Sequence, residues 1–130
     1  MLILLNEQTG RRNTVIYIDP DVDLYTREFV QVIIEFSTSP AHVAILTNSL
    51  LSLEQATEQV EQSHRQFQKE LEILLGERQY PYTIMQRYKN SLNGVALELQ
   101  GIAIQHLLFS QVIRAIYPNR EMRIPENPIM

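Results

Sequence analysis

The sequence predicts an α+β fold, in which an N-terminal β-hairpin packs on three or four helices and the last helix is long and central. Three observations predict it. The chain has 130 residues, 45% of them hydrophobic and 20% charged, as in one ordinary globular domain. Two short apolar runs near the N-terminus flank a polar stretch. Apolar residues at helical spacing then fill most of the remaining chain.

The hairpin is predicted from residues 1–5 and 15–18, which are apolar, and from residues 6–13 between them, which are polar and contain Gly10. Two strands alone are only marginally stable in water. The hairpin therefore needs a helix layer, a third strand or a second chain.

Residues 24–38 predict a helix, because their apolar side chains recur every three or four positions. These side chains are Tyr25, Phe29, Val32, Ile33 and Phe36. A strand would mix Phe29 and Ile33 with Gln31 and Glu35 on one face, which makes it the second choice.

Residues 42–47 leave two interpretations open. Ser39 as N-cap and Pro40 at the first helical position favour a helix, whereas the sequence VAILT favours a strand. A strand here would give the hairpin its third partner.

Residues 52–75 predict the clearest helix. Ser52 and Gln55 have the spacing of a capping box, and Gly76 suits the left-handed position that follows a helix. Its seam repeats every seven residues, as in a coiled coil or a bundle helix. Two rows form this seam: Leu53, Val60, Phe67 and Leu74, and beside them Thr57, His64 and Leu71.

Residues 84–117 predict a further helical stretch with two apolar stripes, more than one small hairpin can cover. We therefore expect a homodimer, whose interface residues are Val60, His64, Phe67, Leu71, Ile104 and Leu108. We expect residues 1–117 to form one domain and the proline-containing residues 118–130 to form an extended tail.

Composition excludes several classes of function. There is no cysteine, which excludes disulfides, thiolate metal sites and cysteine nucleophiles. The net charge of −4 argues against strong sequence-independent binding to nucleic acid, and charged and polar residues interrupt every apolar run of membrane-spanning length. Without a basic signal-peptide start, we expect a cytoplasmic protein, or one made by a virus or phage inside its host.

Three aspartates, Asp19, Asp21 and Asp23, follow the apolar residues 15–18. This pattern is similar to the DxDx[TV] nucleophile motif of haloacid-dehalogenase phosphatases, but Asp23 occupies the Thr/Val position. A small metal-dependent hydrolase or phosphotransfer protein is therefore one alternative. Aspartate also suits turns and helix starts, because its carboxylate accepts backbone N–H bonds, and helix capping is the favoured explanation.

A second alternative is a nucleic-acid-binding regulator, because tyrosines and cations interleave in residues 78–89. The residues of this candidate patch are Arg78, Tyr80, Tyr82, Arg87, Tyr88 and Lys89. Neither the histidines nor the glycines of the chain have the spacing of a metal or phosphate motif.

The favoured function is a non-catalytic adaptor, assembly or regulatory protein that contacts itself and another protein, with no cofactor, no catalytic residue, no metal and no membrane contact.

Overall fold

The computed structural model describes residues 15–120, which form one five-stranded mixed sheet and three helices. The strands are β1 (Tyr17–Ile18), β2 (Phe29–Phe36), β3 (Tyr82–Tyr88), β4 (Gly94–Gln100) and β5 (Ile113–Pro118). The helices are α1 (Ala41–Thr47), α2 (Leu53–Leu71) and α3 (Gly101–Leu107), and a π-helical turn (Glu72–Gly76) extends α2.

The strand order is β1-β5-β2-β4-β3. β2 lies between β5 and β4 and is antiparallel to both, while β1 is parallel to β5. From β2 onward the chain makes two interlocked βαβ units, one through α2 and one through α3. This is the split βαβ arrangement of ferredoxin-like domains. The predicted hairpin on three or four helices with a long C-terminal helix is therefore wrong.

The core lies between one face of the sheet and the helices. Val32, Ile34 and Phe36 alternate along β2 and meet Phe67 and Leu71 of α2. The same layer contains Val95, Leu97, Leu99, Ala103, Ile104, Leu107, Ile113 and Ile116. Because side chains alternate along each strand, the residues between these core positions point to the opposite face of the sheet.

The predicted helix at residues 52–75 is confirmed in its main part. The Ser52 hydroxyl accepts from the Gln55 amide at 3.0 Å, and the Gln55 side chain accepts from the Ser52 amide at 2.9 Å. This is the predicted capping box. The predicted left-handed residue is wrong, because Gly76 belongs to the π-helical turn and Gln79 has the positive φ of 63°.

The predicted helix at residues 24–38 is wrong, because residues 29–36 form the central strand β2. The side chains that look helical in sequence include both faces of this strand. Its inner face is uniformly apolar, and only its outer face mixes Phe29 and Ile33 with Gln31 and Glu35. A sheet with one covered face produces this alternation.

The long helix predicted for residues 84–117 is also wrong. This segment contains β3, β4, α3 and β5, and Gln100 leads directly into Gly101 at the start of α3. No proline or loop separates the strand from the helix there. The strand-like alternation of Val95, Leu97 and Leu99 is therefore followed at once by residues at helical spacing, and the two together resemble one long helix in the sequence.

Residues 42–47 are helical, within α1, and the strand alternative is wrong there. Pro40 occupies the N-cap position, one residue beyond the predicted Ser39. The first strand of the predicted hairpin lies outside the described residues, and the second, β1, pairs with β5. No helix among residues 15–120 is long and apolar enough to cross a membrane.

Candidate functional site: the open face of the sheet

One face of the sheet carries none of the described helices, and we call it the open face. It is formed by Tyr17, Gln31, Ile33, Glu35, Ala96, Glu98, Ala115 and Tyr117. Strand register aligns these residues in rows across the sheet, for example Tyr117, Ile33 and Ala96. Thr83 and Gln86 of β3 pair with Glu98 and Ala96, so the open face is a continuous surface over all five strands.

Aromatic rings stand at the β1–β5 side of the open face. Tyr17 is 52% exposed and Tyr117 is 36% exposed, and their ring centroids lie 5.9 Å apart. Phe29, at the start of β2, is also about half exposed. Large exposed aromatic side chains on a sheet without a covering helix are typical of a protein-binding surface.

The middle of the open face is low because its residues are small. Ala96 and Ala115 are both buried between larger neighbours. Gly94, in the same strand as Ala96, has no side chain at all, and a Cβ there would lie only 1.9 Å from the Ile34 carbonyl oxygen of the neighbouring strand. The surface is consequently shallow enough for another secondary-structure element to approach the strands.

Charge on the open face is organised around Glu35. Its carboxylate pairs with Arg114 and accepts a hydrogen bond from the Tyr117 hydroxyl at 3.4 Å. Burial raises the pKa of Tyr117, and the Glu35 carboxylate raises it further. A tyrosine phenol is protonated at neutral pH even without this shift, and the raised pKa extends its donor role to higher pH.

A cleft of about 560 Å³ lies at one end of this surface, between β2, β5 and the loop after β1. Asp21 pairs with Arg120 across it. The Gln31 side-chain oxygen, which lies in a residue lining the cleft, is buried and has no hydrogen-bond partner among the described residues. A partner that brings a donor here would satisfy that acceptor.

The predicted role of the aspartates as helix caps is wrong, because no helix follows them. Asp19 Oδ1 accepts from the Asp21 amide, and Asp23 Oδ1 accepts from the Tyr25 amide, both at 2.9 Å. These bonds close turns between β1 and β2, which is the other structural role that the sequence predicts for aspartate. Within residues 15–120 there is no group of acidic or histidine side chains arranged to hold a metal ion.

Most of the predicted interface residues lie inside the chain. Val60, His64, Phe67, Leu71 and Ile104 are buried, and the last three belong to the core layer beneath the sheet. Leu108 is 41% exposed at the end of α3. The part of the heptad seam from Val60 to Leu71 is thus covered within its own chain, whereas Leu53 and Thr57 at the start of α2 are exposed.

The predicted Tyr/Arg patch is divided between two ends of β3. Arg78 donates to the carbonyls of Ile73 and Leu74, and the Tyr80 ring packs on His106. Tyr82 is half-buried, and burial raises its pKa. At the other end, near Tyr88, both Arg87 and Lys89 contact α2.

The comparisons with known proteins identify the family. The family model described as Peptidase inhibitor I9 matches residues 31–125, which is more than half of the chain. The chain therefore belongs to the peptidase inhibitor I9 family. A search of curated proteins found no significant match.

This membership corrects the predicted function. The family is one of inhibitor domains that regulate proteases, so the predicted homodimeric adaptor is wrong, as are the nucleic-acid-binding and hydrolase alternatives. Two broader parts of the prediction are confirmed, namely a regulatory role and another protein as the partner. An inhibitor domain is not itself a catalyst, which is consistent with the prediction of a non-enzyme.

Proposed function

We propose that this chain binds a subtilisin-like protease through the open face and inhibits it. Family membership supports the class of partner. The observation that carries the choice of surface is the asymmetry of the sheet. One face is covered by α2 and α3, whereas the other presents Tyr17, Ile33 and Tyr117 without a covering helix.

The chemistry of the open face suits a protein partner. Its aromatic rings supply contact area with little conformational entropy to lose, and its small central residues permit close approach. Glu98 adds negative charge, which favours backbone N–H groups or cations on the opposing surface, whereas the Glu35 carboxylate is already paired with Arg114.

The test is inhibition of subtilisin, which is measured through the rate at which the protease hydrolyses a chromogenic peptide. Wild-type chain should slow hydrolysis in a saturable manner, and Ile33→Asp should abolish this because a carboxylate would be desolvated at the centre of the contact. Gln59→Asp is the matched control, since it places the same charge on an exposed position of α2.

The control variant should inhibit as well as wild type, and both variants should be folded by circular dichroism. Chymotrypsin, a serine protease of unrelated fold, should not be inhibited. If Ile33→Asp and wild type inhibited subtilisin equally, the open face would not be the binding surface.

A further inference from the structure

A second surface with its own chemistry lies on the helical side of the sheet, away from the open face. We call it the basic cleft; its volume is about 420 Å³ and it lies between α2 and the end of β3. It is lined by Glu61, His64, Arg65, Gln68, Lys69, Arg87 and Lys89. Four cations thus meet one carboxylate, in a chain whose net charge is −4.

The charges in the basic cleft are incompletely paired. Lys89 Nζ lies 3.0 Å from Glu61 Oε1, while Arg87 donates to the neutral Gln68 amide oxygen at 3.2 Å. Arg65 pairs with Glu58, which is not part of the lining. Within residues 15–120, Lys69 makes no ion pair, and Arg87 contacts no carboxylate.

His64 gives the basic cleft a group that can respond to an anion. Its Nε2 lies 2.9 Å from Asn93 Oδ1 and 3.1 Å from the Tyr88 carbonyl oxygen, both of which are acceptors. Nε2 must therefore carry the proton of the neutral ring. Nδ1 makes no hydrogen bond among the described residues, so it can be protonated without breaking these two contacts.

The surroundings of His64 oppose its positive charge when the cleft holds no anion. Burial lowers its pKa, and the Lys89 ammonium lowers it further, against the opposite effects of Asn93, Tyr88 and Glu61. Lys69, Arg65 and Arg87 also line the same cleft. A bound anion would offset the positive charge around His64 and favour the imidazolium.

We propose that the basic cleft binds a small multivalent oxyanion, of the phosphate or polycarboxylate class, through Lys69, Arg87 and Lys89, and that His64 takes up a proton at Nδ1 on binding. Arg87 presents a planar fork of donors that matches two oxygens of one anion, and the lysines add point charges. The volume exceeds that of a single phosphate and accommodates a ligand with two anionic groups.

The test titrates the full chain with sodium pyrophosphate at pH 7.0, with sodium chloride at matched ionic strength as the reference. Calorimetry should show one saturable site with a Kd of about 1 mM or tighter. The variant carrying Lys69→Ala and Arg87→Ala should bind at least about tenfold more weakly, since it loses two charge-assisted contacts. Arg27→Ala is the matched control, because Arg27 is exposed and lies beside Gln100, at the end of β4 away from the cleft.

Two further arms make the proposal specific. Citrate in place of pyrophosphate shows whether carboxylates are sufficient or phosphate is required. Proton nuclear magnetic resonance of the His64 ring in wild type should show its titration midpoint moving to higher pH when pyrophosphate is present, and this readout needs no variant to fold.

Binding no stronger than that of chloride would overturn the proposal, as would an equal loss in Arg27→Ala, which would show only a general charge effect. An unchanged His64 midpoint at saturating pyrophosphate would overturn the proton-uptake step. Inhibition of a protease through the open face is independent of each of these outcomes.

Discussion

Tyr117 packs against Tyr17 on the open face, with ring centroids 5.9 Å apart and ring planes inclined by 48°. Tilted aromatic pairs at this separation attract each other. The Tyr117 hydroxyl also donates to Glu35 at 3.4 Å, so β1, β5 and β2 are joined across the surface. The rings are thus held in place before a partner arrives, which lowers the entropic cost of binding.

Tyr117→Ala should weaken inhibition of a subtilisin-like protease by about 10- to 100-fold, since a tyrosine anchor at an interface contributes roughly 2 kcal/mol. The inhibition constant measures this directly. Tyr25→Ala is the control, because Tyr25 is 80% exposed in the loop before β2. Equal effects of the two substitutions would contradict a role for the Tyr17–Tyr117 pair.

Asn93→Ala should lower the free energy of unfolding by about 1–3 kcal/mol, because it leaves buried groups without partners. The Asn93 amide group donates to the Thr38 carbonyl at 2.9 Å and to the Ser63 hydroxyl at 3.0 Å, and it accepts from His64. Urea denaturation measures the change. Asn90→Ala, at an exposed position of the same loop, should have almost no effect.

Stability should depend on pH through His64. Burial lowers its pKa in the folded chain, so the unfolded chain binds the proton first as the pH falls below about 6.5. The free energy of unfolding should therefore be highest above this value and should decrease from pH 6.5 towards the folded-state pKa. Urea denaturation between pH 8 and 5.5, at low concentrations of multivalent anions, measures this slope.

His64→Gln supplies the comparison, since a glutamine amide can still donate to Asn93 but does not titrate. Its stability should depend less on pH over this interval than that of wild type. The same pH dependence in both proteins would assign the titration to other groups.

Gly94→Ala should destabilise the fold by more than about 2 kcal/mol, or prevent folding, because two strand backbones would have to separate. The added Cβ would lie 1.9 Å from the Ile34 carbonyl oxygen and 3.1 Å from the Glu35 Cα. Gly76→Ala is the control, since its nearest contacts are at 3.9 and 4.0 Å. In thermal unfolding, the melting temperature of Gly94→Ala should therefore be far below that of Gly76→Ala.

The sequence was sufficient for the elements whose signals are local. The capping box of Ser52 and Gln55 and the long apolar seam that follows them predict α2, because both depend on residues within a few turns. It was insufficient for β2, where Phe29 and Ile33 on the outer face combine with Val32 and Phe36 on the inner face to imitate helical spacing. Pairing with distant β4 and β5 decides that segment.

The candidate site could not be predicted for the same reason. Tyr17, Ile33 and Tyr117 lie far apart in the chain and become neighbours only through strand register. The sequence does contain one signal, which is the mixture of apolar and polar residues on the outer face of β2. That mixture argues against a strand with two buried faces, but it is expected for a strand whose outer face has no covering helix. The apolar residues taken for a dimer interface, such as Phe67 and Leu71, are in fact the core.

The measurement that tests the central claim most directly is hydroxyl-radical footprinting of the chain, alone and in complex with subtilisin whose catalytic serine has been replaced. Tyr17, Tyr117 and Phe29 should be protected in the complex, while Tyr25, Leu46 and Leu50, all 80% exposed or more, should be oxidised equally in both states. Absence of a complex, or protection of Leu46 and Leu50 in place of Tyr17 and Tyr117, would contradict the account.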